Sequence, residues 1–201
     1  MSARRLRAKL SSFLVMLLAA ATLVVALPAP PAHAAGSPNI ELAKTMPETA
    51  LLGASIPVTL AASNPSGPDG YNLSFTDVLP AGASFENAVP APDRVIARSN
   101  GTTVLIWDNV ADLPTGSTIS VSYDMIPPPG AGIGDTVSND ASAVVNSNPR
   151  IKPQFSDRGN PVTGTYSGSD DATATTTIAA FEVTKVEPSP EGELLRGVHD
   201  H

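Results

Sequence analysis

Ile56-Pro57-Val58-Thr59-Leu60-Ala61-Ala62-Ser63 runs directly into Asn64-Pro65-Ser66-Gly67-Pro68-Asp69-Gly70. Ile56, Val58 and Leu60 sit at every second position, the period that lays one face of a β-strand on a core. The seven residues that follow hold two prolines, two glycines, an Asn and an Asp, a composition that ends a hydrogen-bonded ladder and turns the chain. The same unit recurs on both sides. Runs rich in Val, Ile, Thr and Leu predict strands at residues 40–44, 56–63, 72–78, 94–98, 103–107, 117–125, 136–145 and 172–178. Breaks such as Pro127-Pro128-Pro129-Gly130 separate them. No segment between them carries a helical period, and the spacing predicts an all-β, immunoglobulin-like β-sandwich. Ile56–Leu60 and Ile119–Tyr123 are expected to point alternate residues inward, and Trp107 to be buried. Residues 146–171, polar and rich in Gly, Ser and Pro, read as a loop with at most one edge strand.

Toward the N-terminus the chain changes character. Arg4, Arg5, Arg7 and Lys9 precede a nearly unbroken apolar run from Leu10 to Leu27, then Pro28, Pro31 and Ala32-His33-Ala34. A basic start, an apolar middle and a small-x-small site describe a secretory signal peptide over residues 1–34. A membrane anchor is the alternative, since the run approaches spanning length. The prolines and the cleavage site favour removal by the general secretion route, and the context after Arg4-Arg5 is a poor twin-arginine signal.

Removal of that segment leaves 167 residues with eight basic and nineteen acidic side chains, a net charge of −11. Such a chain lacks the clustered cations that nucleic acid requires. No cysteine is present, so an exported domain of this sequence must hold itself together without disulfides.

An internal repeat extends the reading toward the C-terminus. Ile40-Glu41-Leu42-Ala43-Lys44-Thr45-Met46-Pro47 matches Phe181-Glu182-Val183-Thr184-Lys185-Val186-Glu187-Pro188 in the order apolar, Glu, apolar, small, Lys and a later Pro. Tandem sandwiches are the expected consequence: one repeat domain over residues 35–179 and the first strand of a second, truncated repeat over 180–201. A lone strand has nothing against which to bury its apolar face, so the chain reads as a fragment or truncated product. Residues from Glu187 onward are expected to have few contacts.

Enzymatic readings find little support. Histidine occurs only at positions 33, 199 and 201, so no base exists within the domain for a Ser-His-Asp or Cys-His site. His199-Asp200-His201 at a frayed end makes a poor metal site. Carboxylates suffice for a two-carboxylate hydrolase, but the aromatic residues that would line a sugar cleft are scarce. No phosphate loop or dinucleotide fingerprint is present, and no cofactor is expected.

Phe75-Thr76-Asp77-Val78-Leu79-Pro80-Ala81-Gly82 resembles the signature of a bacterial surface-protein repeat domain, domain of unknown function eleven. Asn64-Pro65-Ser66-Gly67, Ile106-Trp107 with Leu113-Pro114-Thr115-Gly116, and Val137-Ser138-Asn139-Asp140-Ala141 resemble further motifs of that family. The related isopeptide-forming domains of Gram-positive fimbrial proteins and collagen adhesins share the layout. The resemblance spans roughly residues 40–178 as short matches, and neither a Leu-Pro-x-Thr-Gly sorting motif nor a C-terminal apolar span accompanies it. It implies a secreted, non-enzymatic structural or adhesive module on the cell surface, such as a stalk repeat. The implied partners are neighbouring repeats of the same protein, the cell wall or a host surface ligand.

The same resemblance implies a self-formed isopeptide bond. In the fimbrial and adhesin domains a first-strand Lys attacks an Asn near a late strand while a central carboxylate assists. Lys44, Asn139 and Asp77 fall at the matching positions. Lysine is scarce after the signal, at 44, 152 and 185, and two of the three occupy the same place in the repeat. Burial would free the amine as a nucleophile, and a protonated Asp77 would polarise the amide. A Lys44 that merely pairs with Asp77 or lies at a sheet edge is the alternative. The competing functional class is a calcium- or carbohydrate-binding extracellular module, with Asp157, Asp170 and Asp171 as oxygen ligands. A solvated acidic loop explains the same residues.

Overall fold

A computed structural model of the chain describes residues 36–149 and 153–181. The strands are β1 (Asn39–Thr45), β2 (Thr49–Leu51), β3 (Ile56–Ser66), β4 (Gly70–Leu79), β5 (Ser84–Val89), β6 (Arg94–Ala97), β7 (Thr103–Leu113), β8 (Thr118–Ile126), β9 (Thr136–Asn146) and β10 (Gly168–Ala179). They form two sheets, in the orders β1-β3-β8-β5 and β2-β10-β9-β4-β7-β6. Every pairing is antiparallel except that of β2 with β10. The first strand therefore divides between the sheets, β1 joining β3 and β2 joining the last strand in parallel. That division and the pairing of β9 with both β4 and β10 make an immunoglobulin-like sandwich.

The period of two explains what the sheets bury. Ile56, Val58 and Leu60 of β3 are buried, as are Leu73, Phe75 and Leu79 of β4, Val121 and Met125 of β8, and Val137, Ala141 and Ala143 of β9. Trp107 joins this core fully buried and donates its indole N–H to the Pro90 carbonyl at 2.8 Å. Each large side chain withdrawn from water contributes about 1.5–3 kcal/mol, and this inter-sheet layer holds the two sheets together in a chain without cysteine.

Two of the quoted motifs are turns. In Leu79-Pro80-Ala81-Gly82 and in Leu113-Pro114-Thr115-Gly116 the leucine is the last, fully buried residue of a strand. The N–H groups of Ala83 and Ser117 then bond the carbonyls of Pro80 and Pro114. Gly82 and Gly116 have φ of 82° and 78°, which a type II turn demands at its third residue. Asn64 pins a third connection: its Nδ2 donates to the carbonyls of Pro68 at 2.9 Å and Leu113 at 3.2 Å.

All eight expected strands are present, and the structure adds β2 and β5. It corrects the expected loop at 146–171. Residues 168–171 belong to β10, where Gly168 and Asp170 lie half-buried, Ser169 and Asp171 are exposed, and Gly168 replaces a side chain that would strike the Pro38 carbonyl. Alternate faces of that half-strand are polar, so no apolar period marks it. The rest of the segment packs down. Phe155 bridges to Pro161 and is buried with Val104, Ile106 and Val144 on the outer face of the second sheet. Gln154 is fully buried beside it and accepts the Ser74 hydroxyl at 2.7 Å. Residues 1–34, Lys152, Lys185 and the tail from Glu187 lie outside the described residues. Of the second-repeat segment only Ala180 and Phe181 are described, and Phe181 is 76% exposed.

Candidate functional site

Four inward positions that the strand period reserves for apolar side chains are occupied by polar ones. On β1 the inward series is Ile40, Leu42, Lys44, and on β4 it is Leu73, Phe75, Asp77, Leu79. On β8 it is Val121, Tyr123, Met125, and on β9 it is Val137, Asn139, Ala141. Lys44 and Tyr123 thus descend from the first sheet, and Asp77 and Asn139 rise from the second. Asp77 is paired across the ladder with Ala141. Asn139 stands two residues before Ala141 on β9, within diagonal reach on the same face.

The four side chains form one hydrogen-bonded chain. Lys44 Nζ lies 2.6 Å from Asp77 Oδ2, and both side chains have no exposed surface. Tyr123 Oη donates to the same Oδ2 at 2.9 Å. Asn139 Nδ2 donates to Tyr123 Oη at 2.6 Å. The tyrosine ring is held by stacking on Trp107, with centroids 6.2 Å apart, and by an edge contact from Phe85 at 6.3 Å. Asp77 Oδ1 and Asn139 Oδ1 are buried without hydrogen-bond partners.

Burial sets the protonation of this group. It lowers the Lys44 pKa below its ordinary value, against the opposing attraction of Asp77. It raises that of Asp77, against Lys44 and against hydrogen bonds from Tyr123 and Asn139. Tyr123 is raised too, by burial first and by the Asp77 charge second, and stays a neutral phenol. Both members of the ion pair are pushed toward their uncharged forms, a free amine and a carboxylic acid. An amine and a carboxamide brought together with a proton carrier are the reactants of transamidation.

The structure thus gathers all three residues expected at the site and adds Tyr123. At sequence level Tyr123 reads only as an inward residue of an amphipathic strand. The signal that marks it is general: a buried tyrosine hydroxyl requires a partner, and the other inward residues of β8 are apolar.

The acidic residues of the competing reading are not gathered. Asp157 is almost fully exposed and pairs with Arg94 at 3.2 Å. Asp170 accepts the Leu42 backbone N–H at 2.7 Å, tying β10 to β1. Asp171 accepts the Ser142 hydroxyl across the β9–β10 ladder. Asp170 and Asp171 are successive strand residues and so face opposite sides of the sheet. Among the described residues no three acidic or histidine side chains converge as a metal site would need.

No family model matches the sequence, and no curated protein matches it, so the resemblance to the surface-repeat domain stands on its short motifs. Solved structures do align with the chain at low identity. AvmM, which catalyses macrocyclization in alchivemycin A biosynthesis, is 9% identical, with 74% of this chain and 93% of that chain covered and a TM-score of 0.45. Domains D2 and D3 of the major pilin SpaD from Corynebacterium diphtheriae are 14% identical, with 68% of this chain and 52% of that chain covered and a TM-score of 0.42. The collagen-binding domain of a Staphylococcus aureus adhesin is 9% identical, with 68% and 96% covered and a TM-score of 0.36. The chain spans about half the length of that pilin structure.

Proposed function

We propose that this chain is a secreted, non-enzymatic structural or adhesive module of a bacterial cell surface, and that its sandwich is locked by an amide bond between Lys44 Nζ and Asn139 Cγ. The observation that carries the reading is the fully buried Lys44–Asp77 pair at 2.6 Å, joined through Tyr123 to Asn139. A stalk module has use for such a lock, because the sequence contains no cysteine and an exposed protein must resist unfolding by other means. The reaction balances without any co-reactant. Lys44 Nζ, as a free amine, adds to Asn139 Cγ; the Nζ–Cγ bond forms, the Cγ–Nδ2 bond breaks, and ammonia departs with a proton that began on Nζ. Asp77, protonated, polarises the amide and carries protons.

Intact mass of the secreted protein tests this reading. The expected species is lighter than the sequence mass by one ammonia after allowance for signal removal, and Lys44→Ala restores the full mass. Tandem digestion should recover a branched peptide joining the β1 and β9 segments. A full-mass wild-type protein, folded and unchanged on storage, would overturn the bond.

A further inference from the structure

We propose that the Tyr123 hydroxyl is the proton relay to the leaving group of this transamidation, standing between Asp77 and the Asn139 amide nitrogen. The inference rests on the Lys44–Asn139 bond proposed above and adds a second reacting group to it. Its basis is the order of atoms. Asp77 Oδ2 is shared by Lys44 Nζ at 2.6 Å and Tyr123 Oη at 2.9 Å, and Tyr123 Oη in turn holds Asn139 Nδ2 at 2.6 Å. The path Nζ, Oδ2, Oη, Nδ2 joins the nucleophile that must lose a proton to the nitrogen that must gain one.

Each step balances along that path. In the starting amide Nδ2 is a donor without a usable lone pair, and Tyr123 accepts its hydrogen. Attack by Nζ converts Cγ to a tetrahedral centre, and Nδ2 becomes an amine with a lone pair. The hydrogen bonds then reverse. Nζ passes its extra proton to Oδ2, Oδ2 passes a proton to Oη, and Oη passes its own to Nδ2. The Cγ–Nδ2 bond breaks and ammonia leaves; Tyr123 and Asp77 end as they began. A hydroxyl suits this place because it accepts and donates at once. Burial keeps the phenol neutral, so it transmits a proton rather than storing a charge. The Trp107 and Phe85 contacts fix the ring and leave the hydroxyl one position between its two partners.

Tyr123→Phe keeps the ring and removes only the relay. Full-length chain collected unfolded in denaturant is diluted into buffer, and the ammonia-lighter species is counted by intact mass against time. The expected result is bond formation slowed about a hundredfold or more, the range for loss of a general acid–base group, with β-sheet circular dichroism unchanged. If the unchanged chain never loses ammonia, the bond and the relay fall together. If it does so and Tyr123→Phe matches its rate, the relay alone is overturned, and Asp77 reaches Nδ2 directly. Should Tyr123→Phe not fold, the unchanged chain is followed in mixtures of light and heavy water. A relay moving several protons in one step gives a curved dependence of rate on deuterium fraction, whereas a linear one overturns it.

Discussion

Taking Lys44 and Asp77 out of water as ions costs several kcal/mol each, and moving one proton from Nζ to the carboxyl avoids that charge separation. Removal of the lysine exposes what remains. In Lys44→Met, Asp77 stays buried and loses the cation that opposed its upward shift. Its folded pKa then lies above the unfolded value near 3.8, so the native state holds a proton the unfolded state has released. Stability is fully present below that unfolded value and is lost as pH rises through the folded one. Denaturation midpoints of Lys44→Met should therefore fall from pH 4 to pH 8, while Lys44→Met with Asp77→Asn shows no such fall. Parallel pH profiles for the two variants would mean that Asp77 is not shifted. The lysine, the carboxylate and the asparagine were singled out by the motif positions that the family resemblance matched, not by any period of their own. Tyr123 was not, since an inward tyrosine on β8 has the same pattern as an inward phenylalanine, and only the fold reveals what its hydroxyl faces.

Strands announced themselves where both the period and the core face were apolar, as in β3 and β8. β2 is three residues long and gains its identity from a parallel pairing with β10, which no local pattern encodes. β5 is an edge strand whose register slips between Glu86 and Val89, with Asn87 at φ 55°, so its alternation is broken where it would be read. The segment 153–167 hid its role for a different reason. A single buried Phe155 in a polar run carries no period, yet it closes a satellite core over Val104, Ile106 and Val144. Gly159 shows how close the segment lies: a Cβ there would come within 2.4 Å of Val104 Cγ1. Phe155→Ala should cost about 3–5 kcal/mol, as for other fully buried phenylalanines. It should also open residues 153–167 to limited proteolysis while the inter-sheet core survives. An unchanged denaturation midpoint would mean that the segment is held by Gln154 and its hydrogen bonds instead.

The proposed bond joins residues 95 positions apart and ties β1, on the edge of one sheet, to β9, inside the other. Without it β1 is held by its ladder to β3, by the inward Ile40 and Leu42, by the Lys44–Asp77 pair and by the Asp170–Leu42 contact. As an edge strand with one ladder partner, it is the strand expected to peel first under force or thermal opening. A cross-link closing a loop of this length removes denatured-state entropy worth about 4–5 kcal/mol in the chain-entropy treatment. Measuring that contribution requires a variant lacking the bond but carrying no new defect. Lys44→Ala leaves both a hole and an unpartnered buried acid, each destabilising in its own right. Lys44→Met with Asp77→Asn removes the nucleophile and the buried acid at nearly constant volume, leaving neither a hole nor an unpartnered carboxyl. The loss in that double variant then reports the tie itself. A domain of this size should melt on the order of 10–20 °C lower than the wild type, with most of the change in a faster unfolding rate, because the tie acts on the opening of β1. Equal melting temperatures, in a wild type whose mass shows the bond, would mean that the native sandwich is strained by the cross-link as much as the unfolded chain is restricted by it.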